Sequence, residues 1–254
     1  MSFDRRSFLK IGGLTIAGFA LKPAYTLLSA PPTLSPAQPA KKRWAMLVEL
    51  RACTNKDVCT DCIAACHRLH NVPSFQDPKR EIKWIWTAPF AEVFPEQVRQ
   101  FTKDEVKQKP VLVLCNHCEN PPCVPVCPTK ATFRREEDGI VMMDYHRCIG
   151  CRYCMAACPY GARSFNWADP RPAIPAINQT FPTRTKGVVE KCNFCEERLA
   201  KGQIPACVEA CKDKGLYFGD LNNPGSEIRK VLEGRFVLQR KPSLGTGPNV
   251  YYLA

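Results

Sequence analysis

Apolar residues in this chain gather in short runs divided by polar, proline-rich and cysteine-rich stretches, which predicts small elements and many loops. Residues 11–21 form one such run, rich in Gly and Ala and ended by Lys22-Pro23. As a helix it would reach about 16 Å, well short of a hydrocarbon core of about 30 Å, so it does not predict a membrane span. Trp84, Ile85 and Trp86 mark a second apolar run. It reads as buried core or a partner contact rather than an electron relay. Residues 132–134, 136–139 and 140–144 predict a strand, an Asp-Gly turn and a strand, together a β-hairpin. Residues 196–201 predict a short helix, whereas the proline-rich residues 169–182 read as an irregular loop facing a partner.

Ahead of the first run stands Asp4-Arg5-Arg6-Ser7-Phe8-Leu9-Lys10, similar to a twin-arginine export signal with Asp4 where Ser or Thr is usual. The run behind it then serves as a signal h-region, and residues 1–30 as the signal segment. Leu28-Ser29-Ala30 offers a small-residue cleavage site, yet Pro31 follows at once, so removal and retention as an anchor both stay open. Residues 31–40, rich in Pro and Ala, read as a linker. Export by this route places the folded part on the periplasmic side of the cytoplasmic membrane, with its cofactors assembled beforehand.

The formal charge of +12 raises nucleic acid or an anionic membrane as partners. Four basic residues against Asp4 give residues 1–40 a net +3. Four thiolate-bound [4Fe–4S] cores, at about −2 each, would bring roughly −8. The loaded remainder sits near neutrality, so the basic excess is counter-charge to cofactors, and no nucleic acid is expected.

Sixteen cysteines carry the chemistry, in four groups of four with none left over. They are Cys53, Cys59, Cys62 and Cys66; Cys115, Cys118, Cys123 and Cys127; Cys148, Cys151, Cys154 and Cys158; and Cys192, Cys195, Cys207 and Cys211. The third group is the C-x2-C-x2-C-x3-C-P run of bacterial ferredoxins, in which three cysteines hold one cluster and the fourth holds its neighbour. A tight loop wraps three iron corners of a cubane, and the fourth corner needs a cysteine from elsewhere. Such runs therefore come in pairs. The second group repeats the logic, and Cys127-Pro128-Thr129-Lys130-Ala131 matches Cys158-Pro159-Tyr160-Gly161-Ala162.

Exchange of the fourth cysteine predicts Cys115, Cys118, Cys123 and Cys158 on one cluster (cluster 3), and Cys127, Cys148, Cys151 and Cys154 on another (cluster 4). The outer groups give Cys53, Cys59, Cys62 and Cys211 (cluster 1), and Cys66, Cys192, Cys195 and Cys207 (cluster 2). Five residues separate Cys53 from Cys59 where two are normal, so ligation by Cys53 stays open. The expected architecture is α+β and loop-rich, with two ferredoxin-like [4Fe–4S] modules: residues 41–110 with 185–254 outside, and residues 111–184 inside.

Rival uses of cysteine meet the spacing poorly. Structural zinc uses C-x2-C pairs but does not explain triplets followed by a fourth cysteine at x3. A disulfide-rich exported binding protein would need cysteines two or three apart to find distant partners in eight independent bridges. Covalent haem needs C-x-x-C-H, and Cys62 to Cys66-His67 is one residue too long. Thiolates already close four clusters, so His67, His70, His117 and His146 are expected to pack near them or to donate hydrogen bonds to sulfur. No catalytic triad or phosphate-cradling glycine loop is present.

With C-x2-C-x4-C-x3-C second and C-x2-C-x11-C-x3-C last, the order of groups resembles the electron-transfer β-subunits of the dimethyl sulfoxide and polysulfide reductase families. His70-Asn71-Val72-Pro73, Lys83-Trp84-Ile85-Trp86, Cys115 to Cys123, Val188 to Cys192 and Gly245 to Tyr252 are similar to the periplasmic iron–sulfur subunit of the DsrMKJOP complex of sulfur metabolism. The resemblance implies a multi-spanning, quinone-interacting membrane subunit as partner, together with a cytochrome c and other redox subunits. It also implies electron transfer with no small-molecule substrate of the chain's own. The same resemblance admits the β-subunit of a molybdopterin reductase as an alternative.

Overall fold

The computed structural model of the chain describes residues 41–54 and 60–254. The expected signal segment, the linker and Cys59 lie outside the described residues. Among the described residues the strands are β1 (Trp44–Glu49), β2 (Ile85–Pro89), β3 (Pro110–Leu114), β4 (Thr132–Arg134) and β5 (Val141–Met143). They continue with β6 (Ser164–Phe165), β7 (Val189–Glu190), β8 (Leu216–Asp220), β9 (Val237–Leu238) and β10 (Val250–Leu253). Among the described residues the helices are equally short, and Asp61–Leu69, with nine residues, exceeds the others in length. The architecture is α+β and loop-rich. No helix among the described residues is long and apolar enough to cross a membrane.

The largest sheet, ordered β8-β1-β10-β9, ties the start of the described chain to its end. β1 runs parallel to β10, with Met46 opposite Val250, and antiparallel to β8, with Met46 opposite Phe218. Its residues 45–48 are fully buried. A strand covered on both faces reads as a continuous apolar run rather than an alternating one. Met46 and Val48 enter the main core beside several cysteines, whereas Ala45 and Leu47 pack with Ile228 of the helix Glu227–Gly234. Gly219 of β8 permits this close approach, since a Cβ there would lie 2.9 Å from Ile228 Cγ2.

Among the described residues three two-stranded sheets complete the strand pairing: β2 with β3, β4 with β5, and β6 with β7. β4 and β5 form the expected hairpin, with Thr132 opposite Met143 and Arg134 opposite Val141. Its turn places Gly139 at φ +72° and lets Asp138 accept the Ile140 N–H at 3.1 Å. Trp84 is wholly buried beside β2, and its indole N–H donates to Glu190 at 2.8 Å.

The proline-rich stretch 169–182 is irregular apart from the turn Arg171–Ala173, and it is anchored rather than free. Asn71 donates to Asn178 O at 2.9 Å, while Asn178 donates through its own N–H to Asn71 and through its side chain to Leu69 O. These bonds fasten the loop to the end of the helix Asp61–Leu69.

Candidate iron–sulfur centres

The loops that carry the cysteines bend through left-handed backbone. Cys115-Asn116-His117-Cys118 and Cys192-Asn193-Phe194-Cys195 share one pattern, and His117 and Phe194 both take positive φ, at 41° and 57°. The third group turns at Gly150, φ +72°, and Arg152, φ +63°. A Cβ on Gly150 would lie 2.4 Å from the Gly187 carbonyl oxygen, so only glycine closes this loop. In the first group the helix Asp61–Leu69 buries Cys62 and Cys66, four residues apart on one face.

These bends gather cysteines from different groups. Cys115, Cys118, Cys123 and Cys158 line one cavity together with Tyr160 and Arg163. Cys127, Cys148, Cys151 and Cys154 line a second, together with Ile149 and Arg152. Cys66 lies within electrostatic reach of Cys192, Cys195 and Cys207, on elements far away in sequence. Cys53 and Cys211 both flank Gly215, where an added Cβ would sit 3.5 Å and 3.9 Å from their sulfurs. Cys62 lies one helical turn before Cys66 and within reach of Cys207.

Burial makes these thiols reluctant to ionise. It pushes Cys118 and Cys195 up to about 12, and neighbouring Cys115 adds to the first and Glu197 to the second. Cys66, Cys192 and Cys207 are also raised, by burial first and then by adjacent sulfur charge. Cys127 is less buried. There the Thr132 N–H and Thr129 contacts outweigh burial, and its pKa is lowered. A bound metal inverts this logic, because a coordinating thiol is deprotonated outright. The fifteen described cysteines are all free of disulfides. Soft thiolate quartets on short loops fit [4Fe–4S] ligation, which supplies one-electron redox chemistry.

Around the quartets stand several polar groups. His70 Nδ1 lies 3.6 Å from Cys66 Sγ and 3.0 Å from its carbonyl oxygen, and Nε2 pairs with Glu197 at 2.8 Å. His117 is buried and accepts the Val141 N–H at 3.2 Å through Nδ1. His67 is half-buried, but His146 is exposed and does not join this packing. Composition and spacing did not reveal the buried cations, of which three stand out. Arg184 pairs with Glu190 at 2.6 Å, both fully buried. Lys191 donates to Val141 O and to Cys192 O. Arg163 donates to Cys123 Sγ at 3.1 Å. The only sequence signal for the last two is a basic residue just before Cys192 and another five after Cys158, which looks the same as surface charge.

Residues 109–221 match the family described as a 4Fe-4S dicluster domain. The iron–sulfur subunit 1 of an Hdr-like menaquinol oxidoreductase from Archaeoglobus fulgidus is 42% identical, over 98% of this chain and 97% of that relative. A tetrathionate reductase subunit from Salmonella typhimurium is 38% identical, over 100% of this chain and 89% of its own length. The iron–sulfur cluster-binding subunit of menaquinone reductase from Nitratidesulfovibrio vulgaris is 34% identical, over 84% and 89%. The chain thus belongs to the ferredoxin-like family of iron–sulfur subunits of reductase complexes, which transfer electrons rather than catalyse.

Proposed function

We propose that this chain carries four [4Fe–4S] clusters and relays single electrons between a quinone-reactive, multi-spanning membrane subunit and another redox subunit. Clusters 1 to 4 take the ligand sets assigned above from the spacing, in two modules that each exchange their fourth cysteines. The observation that carries this reading is the convergence of cysteines across groups, with Cys66 among Cys192, Cys195 and Cys207 and Cys158 among Cys115, Cys118 and Cys123. Cys115 also lies within reach of Cys192, so quartets 2 and 3 adjoin and the relay runs 1–2–3–4.

The Archaeoglobus fulgidus relative, matched over nearly its whole length, supports a menaquinol-linked membrane complex. The twin-arginine residues Arg5 and Arg6 support the periplasmic side of the cytoplasmic membrane. The motifs shared with the DsrMKJOP subunit support dissimilatory sulfur metabolism, with a cytochrome c among the partners. The match to the tetrathionate reductase relative favours a second reading, in which the partner is a large catalytic reductase subunit of the molybdopterin type.

Anaerobic purification with iron and sulfide counting tests the cluster content. About sixteen iron atoms per chain are expected, and about eight or fewer would overturn the reading. Co-purification decides the partner: a cytochrome-containing membrane complex supports the first reading, and a large molybdopterin subunit the second.

A further inference from the structure

Arg163 is only 5% exposed, yet among the described residues no carboxylate pairs with it, and Cys123, Cys154 and Cys115 lie within its electrostatic reach. Nη2 donates to Cys123 Sγ at 3.1 Å, and Nη1 donates to Thr132 Oγ1 at 3.1 Å. Nη1 also lies 3.8 Å from Met143 Sδ, which lines the second cavity beside Cys154, and Cys154 is within electrostatic reach of the guanidinium. Cys123 belongs to quartet 3 and Cys154 to quartet 4, so one side chain bonds quartet 3 and lies within electrostatic reach of quartet 4. Burying a cation without a counter-charge is costly, and thiolate sulfur is the negative charge this one meets.

The outer half handles the matching position differently. Arg163 stands five residues after Cys158; five residues after Cys211 stands Leu216, equally buried and the first residue of β8. Gly215 before it flanks Cys211 and Cys53, just as Ala162 lines the cavity of quartet 3, so the two positions correspond. A guanidinium thus occupies the inner half where an aliphatic side chain occupies the outer. Of the other buried cations, Lys191 reaches Cys115, Cys192 and Cys123, so it acts on both quartets 2 and 3 and does not separate the halves, and Arg240 lies over the Tyr160 ring, 5.2 Å from its centroid.

We propose that Arg163 is a positioning residue that raises the reduction potentials of clusters 3 and 4 together, so that electrons rest in the inner half of the relay. The proposal builds on the four-cluster reading above. Reduction adds negative charge to a cluster, and a fixed cation at hydrogen-bond distance favours that state, as do N–H groups aimed at sulfur. At an effective dielectric of about 20, a charge this near changes the reduction equilibrium at least tenfold. For a one-electron couple that is a shift of about 59 mV.

The test is an EPR-monitored potentiometric titration of the whole chain, purified without oxygen, beside its Arg163→Gln variant. Gln keeps an N–H donor and removes the charge. The expected result is four clusters in both proteins, with two potentials lowered at least tenfold in equilibrium constant and two unchanged. Four clusters with all potentials unmoved, or with all four lowered equally, would overturn the role of Arg163 and leave the four-cluster reading standing. A wild-type chain with eight irons or fewer would overturn that reading instead. If Arg163→Gln loads fewer than four clusters, Arg163→Lys decides, since it keeps the charge without the fork. Four clusters with inner potentials within tenfold of the wild type are then expected, and a larger fall would refute the charge mechanism.

Discussion

The imidazole of His117 stacks on the phenyl ring of Phe194, with centroids 3.7 Å apart and planes 21° apart. Each ring sits inside a C-x-x-C pair, the second and the fourth groups respectively, and both residues are buried. The stack therefore joins the inner and outer cysteine sets at the point where Cys115 and Cys192 approach. Phe194→Ala removes a fully buried ring, also packed edge-on to Phe218, and is expected to lower stability by about 3–5 kcal/mol. Anaerobic thermal denaturation checks this. An unchanged midpoint would show that the stack carries no packing energy.

The Arg184–Glu190 pair is fully buried, and Glu190 also accepts from Trp84 and Asn166 at 2.8 Å and 2.6 Å. Removing one partner strands a charge in the interior. Glu190→Gln is expected to cost about 3–5 kcal/mol, far more than loss of an exposed pair such as Arg229–Glu233. Comparing the melting points of Glu190→Gln and Glu233→Gln measures the contrast, and similar shifts in the two would refute it.

Tyr252 is wholly buried and its hydroxyl has no hydrogen-bond partner among the described residues. Burial raises its pKa, with a smaller push from Cys53 against the pull of Arg240. In the unfolded chain the phenol loses its proton near pH ~10, but in the folded chain it holds the proton to higher pH. Folding stability from this group is therefore complete below pH ~10 and lost as pH rises above it. Tyr252→Phe is expected to change stability at neutral pH by under about 0.5 kcal/mol and to flatten the alkaline fall. Tyr160 and Tyr251, also raised by burial, keep part of that slope. Melting point against pH for both proteins decides, and parallel curves would contradict the assignment.

Gly150→Ala forces a methyl group to within 2.4 Å of the Gly187 carbonyl, at a φ of +72° that disfavours any side chain. The loop between Cys148 and Cys151 then reopens. The variant is expected to lose the cluster held by the third group and to keep the others, read as a fall of about four iron atoms per chain. Full iron content would show that the loop tolerates the shift.

Much of this arrangement was legible because ligand spacing is a local constraint. The hairpin at Thr132–Arg134 and Val141–Met143 followed from an Asp-Gly turn between two short strand-like runs, and the helix Glu196–Leu199 from its composition. The parallel pairing of β1 with β10 was not legible, since Met46 and Val250 lie at opposite ends and no local pattern encodes their register. Nor were the roles of Arg163 and Lys191. A buried cation is recognised by what surrounds it, and its neighbours here come from distant groups. His146 shows the converse, a residue with metal-ligand chemistry that simply faces solvent.

The exchange of corners between cysteine groups is the claim on which the rest depends, and EPR of a Cys158→Ser variant tests it directly. The altered signal is expected to belong to the cluster of Cys115, Cys118 and Cys123, while the cluster of Cys148, Cys151 and Cys154 keeps its spectrum. Loss confined to the latter cluster would contradict the exchange.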